Sequence, residues 1–512
     1  MTDKKLHIVI YVISFAFVAL VSFRVINHYS HLPFKSDAAM FADIGYHLLN
    51  NKVLYQDVWD HKQPIIFLLN YLALNFYGTN ISAIREIERV FSTLNGIFFF
   101  SIFVCIFKRP VIGVFLTVTY LFCFYHPFNI FTGNVTEEYG TIFLLAGTLT
   151  CLFINRSTGV SKIMLILLSG FFYSLAVFCK EPFILSVLPL SMYFLLTPRE
   201  KLSEKIKFMA VFIVGFSILV VMFFIYFIKH RALIDWYDIL SYNLAYSKHY
   251  SNNGENFVLN SFSISSLKIL YSYVFRIKIL NILFIFGVVS IFVKNFVHTL
   301  NYMPLLLFIW FLSGVFGANI AITHYPHYYI PIFVPFILLS GCGAIVAINV
   351  LNKYLKNKTL IANLIFTATV LFVLINYNYE GYYNFYKRLA KNFLRITGST
   401  DICADIAKNN SFISDTIWAP NMFTTTYINS GRLSATIYLH ALEHYYIDTY
   451  KSTGTEKIQR LLFELIQNKP KFIIFDGSGD DTRIPAEVAR WIEKNYYLFA
   501  ELYECKILRS IN

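Results

Sequence analysis

Charge is what this chain has least of. Only 14% of its 512 residues are Asp, Glu, Lys or Arg, while 57% are hydrophobic and 18% aromatic. A soluble globular protein is about 25% charged, so that shortage excludes an ordinary soluble enzyme and leaves lipid as the solvent for most of the sequence. Cysteine is also sparse: seven residues with no CxxC pair, which argues against a zinc ribbon or a thioredoxin-like redox centre. Cys105, Cys123, Cys151, Cys179 and Cys342 fall in apolar runs, where cysteine packs as a small hydrophobe. Cys403 and Cys505 lie in the polar tail, where they are free to pair if that tail sits outside the cytoplasm. The formal charge of +13 has no basic face behind it, because the cations flank apolar runs. That pattern sets orientation in a membrane and excludes nucleic acid as the partner. No small-residue cleavage site follows residues 6–26, so this stretch reads as a signal anchor that is retained.

Apolar runs of spanning length fall near 6–26, 87–107, 111–128, 139–155, 162–179, 182–197, 208–228, 279–297, 302–322, 327–350 and 359–376. The stretch 63–77 is apolar but short, and it decides the topology of everything after it. If it lies in the interface, the basic turns at Lys108–Arg109, Arg156/Lys162, Arg199–Lys207, Lys294 and Lys353–Lys358 share one side. The positive-inside rule makes that side cytoplasmic. The expectation is therefore a re-entrant or interfacial helix at 63–77, about eleven spans, a cytoplasmic N-terminus and an external tail. The polar segment Lys229–Lys278, rich in Tyr and Asn, reads as a second external loop of the length used for lids.

Composition changes for good after Asn376, giving a membrane domain over 1–376 and an external domain over 377–512. The amphipathic segments Thr455–Gln467 and Pro485–Asn495 flank a β-type run, Lys471–Phe475, bounded by Pro470 and Asp476–Gly477. This order predicts a small α/β domain. The Gly477–Ser478–Gly479 turn lacks a full phosphate-binding fingerprint and reads as an ordinary turn.

The first long loop, Ser36–Pro64, is where chemistry concentrates. It carries Asp37, Asp43, Asp57, Asp60, His61 and Lys62 beside Met40, Phe41, Ile44, Leu48 and Leu49 at helical spacing. That mixture predicts a helix in the membrane interface. Other ionisable clusters, Glu137–Glu138, Lys180–Glu181 and His324–His327, fall on the same predicted face. Ionisable groups at the hydrocarbon boundary are costly and mark function. A carboxylate there can take a proton from an attacking hydroxyl or amine, and a lysine or arginine can hold a lipid-linked phosphate as it leaves. Trp59, Tyr55 and Tyr328 would suit a sugar ring or a prenyl chain. Asp43 lies six residues beyond Asp37, which on a helix points it to another face, and it is left out of the site.

SDAAMFADIGYHLL followed by LYQDVWDHKQP resembles the first external loop of GT-C membrane glycosyltransferases, in particular bacterial family 39-like proteins related to protein O-mannosyltransferases and the lipid A aminoarabinose transferase. Arg89–Val90–Phe91 with Gly96, the Phe178–Lys180 span end and YPHYYIPIFVPFILLSG at Tyr325–Gly341 extend the resemblance over most of the membrane half. It implies a polytopic α-helical membrane protein of GT-C type with a small C-terminal α/β domain, in a bacterial inner membrane. It implies inverting transfer of a sugar from a polyprenyl-phosphate donor to a glycan, lipid A-like lipid or protein hydroxyl. Asp37 becomes the base, and Lys62, Arg89 and Lys180 the lipid-phosphate partners. Glu138, Glu137 and His327 become candidates to orient the acceptor or to hold a divalent metal. Ala38 stands where many relatives have a second acidic residue, and Gln63 where they have proline. The alternatives are a lipid-linked sugar flippase, a glycan polymerase or ligase of another membrane family, and a non-catalytic sensor that uses the tail. An inverted-repeat transporter would show an internal repeat and mid-span charges, and neither is visible.

Overall fold

A computed structural model describes residues 3–28, 30–32, 34, 36–130, 132–154, 156–192, 201–251, 263–292, 302–319, 324–354, 400–420, 425–439, 453–476, 484–502 and 505–511. Among these, six helices are long and apolar enough to cross a membrane, at Ile8–Asn27, Ile81–Phe107, Thr136–Ile154, Gly159–Val177, Leu202–Lys229 and Pro326–Tyr354. The bent pair Ser265–Tyr273 and Lys278–Val289 makes a seventh if taken as one broken span. Shorter apolar helices occupy Pro110–Phe124, Glu181–Ser191 and Met303–Asn319. The span expected at 359–376, the 376/377 domain boundary and the Gly477–Gly479 turn lie outside the described residues.

The pivotal short stretch forms a 14-residue helix, Pro64–Tyr77. At about 1.5 Å per residue it reaches roughly 21 Å, short of a hydrocarbon core about 30 Å thick. Proline at its first position costs no hydrogen bond, because that N–H would be unpaired in any case. The next helix, Ile81–Phe107, is capped by the Asn80 side chain, which accepts from the Ala83 N–H at 3.1 Å. Membrane helices pack closely where glycine permits it. Gly287 and Gly343 face each other between Lys278–Val289 and the span ending at Tyr354. A Cβ on either would run into the Leu339 or Leu283 carbonyl of the opposite helix.

The segment read as a polar external loop is instead helical at Leu233–Ser251 and Ile264–Tyr273. The tail folds as expected into an α/β unit. Strands β1 (Thr416–Trp418), β2 (Leu433–Ser434), β3 (Phe472–Asp476), β4 (Tyr496–Glu501) and β5 (Cys505–Ser510) form one sheet in the order β2-β1-β3-β5-β4. β1 runs parallel to β2 and β3, while β5 is antiparallel to β3 and β4. In β3, Phe472, Ile473, Ile474 and Phe475 are all buried, the continuous apolar run of a strand covered on both faces. Leu461 and Leu465 on helix Thr453–Asn468, and Val488 and Ile492 on helix Ala486–Asn495, are buried at the four-residue spacing of a single helix face. Cys403 and Cys505 form a disulfide that ties helix Thr400–Asn409 to β5.

Two apolar cores result. One lies among the membrane helices, around Tyr173, Trp310 and Phe336. The other is shared: Phe41, Tyr55 and Ile66 from the first loop and the short helix belong to the same cluster as Trp418, Tyr427 and Phe472 of the tail. The tail is therefore packed onto the loop that carries the candidate chemistry.

Candidate functional site

Asp37 opens the helix Asp37–Leu49. The residue before it, Ser36, takes φ 53° and ψ −134° and makes no side-chain cap. A non-glycine residue held there costs on the order of 1–3 kcal/mol, strain that recurs at functional sites. The N-cap position is therefore Ser36, whose hydroxyl donates to Asp37 Oδ1 at 3.4 Å. Its Oδ2 lies 3.7 Å from the Lys62 Nζ, with the side chains 42% and 15% exposed respectively.

Lys62 is held by the turn that carries it. Its N–H donates to Asp60 Oδ1 at 2.7 Å, and its carbonyl accepts from the Tyr55 hydroxyl at 2.7 Å. The Lys62 ammonium donates to His61 Nε2 at 2.7 Å. The Asn243 amide, on the helix Leu233–Ser251, donates to the His61 carbonyl at 2.8 Å and to Glu181 Oε1 at 2.7 Å. Gln63 donates to the same carboxylate oxygen at 2.6 Å. Glu181 therefore braces the loop and is not the partner of Lys180.

Lys180 pairs with Glu137, and its Nζ lies 3.5 Å above the Tyr328 ring centroid. His327 Nε2 is 4.0 Å from Glu137 Oε1. Burial pushes the Asp37 carboxyl up, but the charges of Lys62, His327 and Lys180 outweigh it and hold Asp37 below its ordinary 3.8. Burial likewise opposes the Lys62 charge, and Asp37 and Asp60 more than reverse it, raising Lys62 above 10.5. Beside Lys180 opens a small cleft lined by Glu137, Lys180 and Tyr328 together with Phe183, Gly317 and Pro331. A charged end on an apolar slot is the shape of a site for an amphiphile.

Asp37, the Asp60–Lys62 turn, Glu137, Lys180–Glu181 and His327–Tyr328 thus come from five separate stretches to one region. Other candidates go elsewhere. Arg89 pairs with Glu86, three residues earlier on its own helix. Glu138 is fully buried beside Glu88 and Arg85, and the turn of the helix points it away from Glu137. Tyr55 and Trp59 are 0% and 7% exposed, packed on Phe227 and on Tyr242 with Tyr438, which removes them as surfaces for a sugar. His324 bonds the Tyr329 hydroxyl at 2.9 Å, the structural role such histidines commonly have. Among the described residues no group of three or more His, Cys, Asp or Glu side chains could hold a metal ion, so the divalent-metal expectation finds no fitting site there.

A buried polar network escaped sequence reading. Arg85 donates to Glu88 at 2.6 Å, to the Thr132 carbonyl at 2.7 Å and to the Leu32 carbonyl at 2.8 Å. Glu88 accepts from the Asn134 N–H at 2.6 Å, and the Asn134 amide donates to the Ala38 carbonyl at 3.0 Å, directly behind Asp37. The Arg85/Glu88 spacing of three on an apolar helix was the available signal.

No protein-family model matches the chain, and no curated protein sequence matches it. Solved structures do. ArnT from Cupriavidus metallidurans in the apo state aligns over 97% of both chains with TM-score 0.56 and 13% identity. The same protein bound to undecaprenyl phosphate aligns over 97% of both chains with TM-score 0.58 and 13% identity. Over 97% of its length the chain shares the fold of these ArnT structures, a polytopic helical membrane protein with a small C-terminal α/β domain, as expected from the sequence.

Proposed function

We propose that this protein is an inverting GT-C glycosyltransferase that uses a polyprenyl-phosphate sugar, with its site on the outer face of a bacterial inner membrane. The observation that carries this reading is the Asp37–Lys62 pair at 3.7 Å, beside Lys180 and its half-apolar cleft. The undecaprenyl phosphate bound by one of the similar structures supports the choice of lipid.

In the reaction an acceptor hydroxyl or amine, on a glycan, lipid or protein, gives its proton to Asp37 as its lone pair attacks the anomeric carbon. The bond from that carbon to the phosphate oxygen breaks on the opposite face, and no sugar–enzyme bond forms, which inverts the anomeric configuration. The departing phosphate gains charge, which Lys62 and Lys180 stabilise. The prenyl chain remains in the bilayer, an arrangement that calls for a charged cluster at the lipid boundary. Glu137 and the Tyr328 ring hold Lys180 in place, with His327 beside Glu137. Arg89, paired with Glu86, stands outside this mechanism, and no step passes through a metal. The Cys403–Cys505 bridge suits an oxidising compartment and therefore an external tail over a cytoplasmic N-terminus.

The test is consumption of prenyl-phosphate-linked sugars by the purified full-length protein and by Asp37→Asn. Transfer or hydrolysis by the wild type, lost in the variant, supports the assignment. Equal activity in both points to a flippase or to a polymerase with its chemistry elsewhere.

A further inference from the structure

The residue next to Lys62 has no role in the mechanism above, yet it makes the shortest contact to the ammonium. His61 Nε2 lies 2.7 Å from Lys62 Nζ. An ammonium can only donate, so the imidazole must accept there, which requires a neutral ring with its proton on Nδ1. On that side Nδ1 faces Asp60 Oδ1 at 3.8 Å. The ring is fixed by its surroundings: its carbonyl is bound by Asn243, and Tyr242 lies against it with centroids 5.9 Å apart. Lys62 therefore has two anchors, a charged one at 3.7 Å and a neutral one at 2.7 Å.

We propose that His61 is the positioning residue for Lys62, aiming its ammonium at the phosphate position through a hydrogen bond that exists only while the imidazole is neutral. This inference rests on the proposed use of Lys62 as a phosphate ligand, but the geometry it describes is testable without that use.

An imidazolium at His61 has no lone pair for Lys62 and places a second cation beside it. Acidification therefore releases Lys62 toward Asp37 and solvent. The charged groups that face the ring are Lys62, which opposes protonation, and Asp60, which favours it. Beyond them stand Asp37, on the far side of Lys62, Glu181, joined through Asn243, and Lys457, whose Nζ lies 4.6 Å from the opposite Tyr242 centroid. Asp37 is held below 3.8, so a loss of activity in the histidine range, around pH 5–7, is not its own.

The experiment uses full-length protein in detergent as wild type, His61→Gln and His61→Phe. Glutamine keeps an acceptor oxygen that does not titrate, and phenylalanine keeps the volume without an acceptor. The first readout is the rate of acetylation of Lys62 by acetic anhydride, followed by peptide mass spectrometry from pH 5 to 9. An inflection in the histidine range is expected in the wild type and absent in both variants. The second is binding of undecaprenyl phosphate at neutral pH. His61→Phe should weaken it by about ten- to hundredfold, the cost of one hydrogen bond to a charged group, and His61→Gln should stay within a few-fold of wild type. A His61→Phe variant that binds as the wild type does, or an inflection that survives in His61→Gln, overturns the positioning role. If the acetylation inflection behaves as expected and the wild type ignores undecaprenyl phosphate, His61 positions Lys62 and it is the proposed function that fails.

Discussion

One helix, Asp37–Leu49, carries two aspartates with opposite fates. Asp37 stands at its open end, 42% exposed and facing a lysine. Asp43 is wholly buried six residues later and accepts the Ile428 N–H of the tail at 3.2 Å. His47, one turn on, makes the same commitment. It accepts the Ser434 N–H on Nε2 at 2.9 Å and so must donate from Nδ1 to the Asp43 carbonyl at 2.7 Å. A carboxylate whose lone pairs are occupied by backbone donors in a sealed interface serves assembly. One that faces a cation across partly open space keeps lone pairs for chemistry. Burial and partner, rather than residue type or proximity in sequence, separate the two roles.

The sharpest way to break this comparison is to neutralise each aspartate in turn. Asp37→Asn should lower turnover by about a hundred- to ten-thousandfold, the loss expected for a general base, with thermal stability close to wild type. Wild-type turnover in that variant would remove Asp37 from the chemistry. Next in size is the bridge that holds the tail together. Cys403→Ser should cost about 2–5 kcal/mol, read as an earlier melting transition of the tail in non-reducing buffer. Asp43→Ala comes third: the buried Ile428 N–H loses its acceptor, at about 1–3 kcal/mol. Stability should fall while turnover per folded molecule is kept, the reverse of Asp37→Asn. Smaller again is Lys457→Ala, which removes an ammonium lying 4.4 Å from the Trp59 ring centroid, worth about 0.5–2 kcal/mol to docking of the tail.

The smallest effect expected is that of pH on the Asp37–Lys62 pair. Asp37 is depressed in the folded protein, so its contribution is present above 3.8 and is lost as pH falls through its lower folded value. Lys62 is elevated, so its contribution is present below 10.5 and is lost as pH rises through its higher folded value. Between roughly pH 4 and pH 10 the pair should therefore leave the melting temperature level. A slope between about pH 8 and pH 10, above the range in which His61 titrates, that disappears in Lys62→Gln would contradict the assigned direction of the Lys62 shift.

Much of the architecture was legible because membranes impose simple rules. Apolar runs located the helices, and the shortness of 63–77 identified a helix too short to span. The α/β tail was readable from Lys471–Phe475 between two amphipathic segments. What sequence could not show was which polar residues turn toward one another. Glu137 and Glu138 are neighbours in sequence, but a helix turns about 100° per residue, so one meets Lys180 and the other is buried away from it. Asp43 was correctly placed on another face, but its partner lies 385 residues away and nothing local announces it. Arg89 was favoured over Arg85 by motif, whereas Arg85 is the arginine that is sealed and threefold bonded. Trp59 and Tyr55 looked like sugar platforms because aromatic residues in a loop serve either packing or binding, and the decision rests on distant partners, Tyr438 and Tyr242 for Trp59 and Phe227 for Tyr55.

The most direct test is the affinity of the full-length protein for undecaprenyl phosphate, in the wild type and in the variants Lys62→Ala and Asp37→Asn. If Lys62 is the phosphate ligand and Asp37 the base, removal of the ammonium should weaken binding about tenfold or more. Removal of the carboxylate, which competes for that ammonium, should leave binding as tight or tighter. Binding unchanged by Lys62→Ala would contradict the paired-site mechanism at its root.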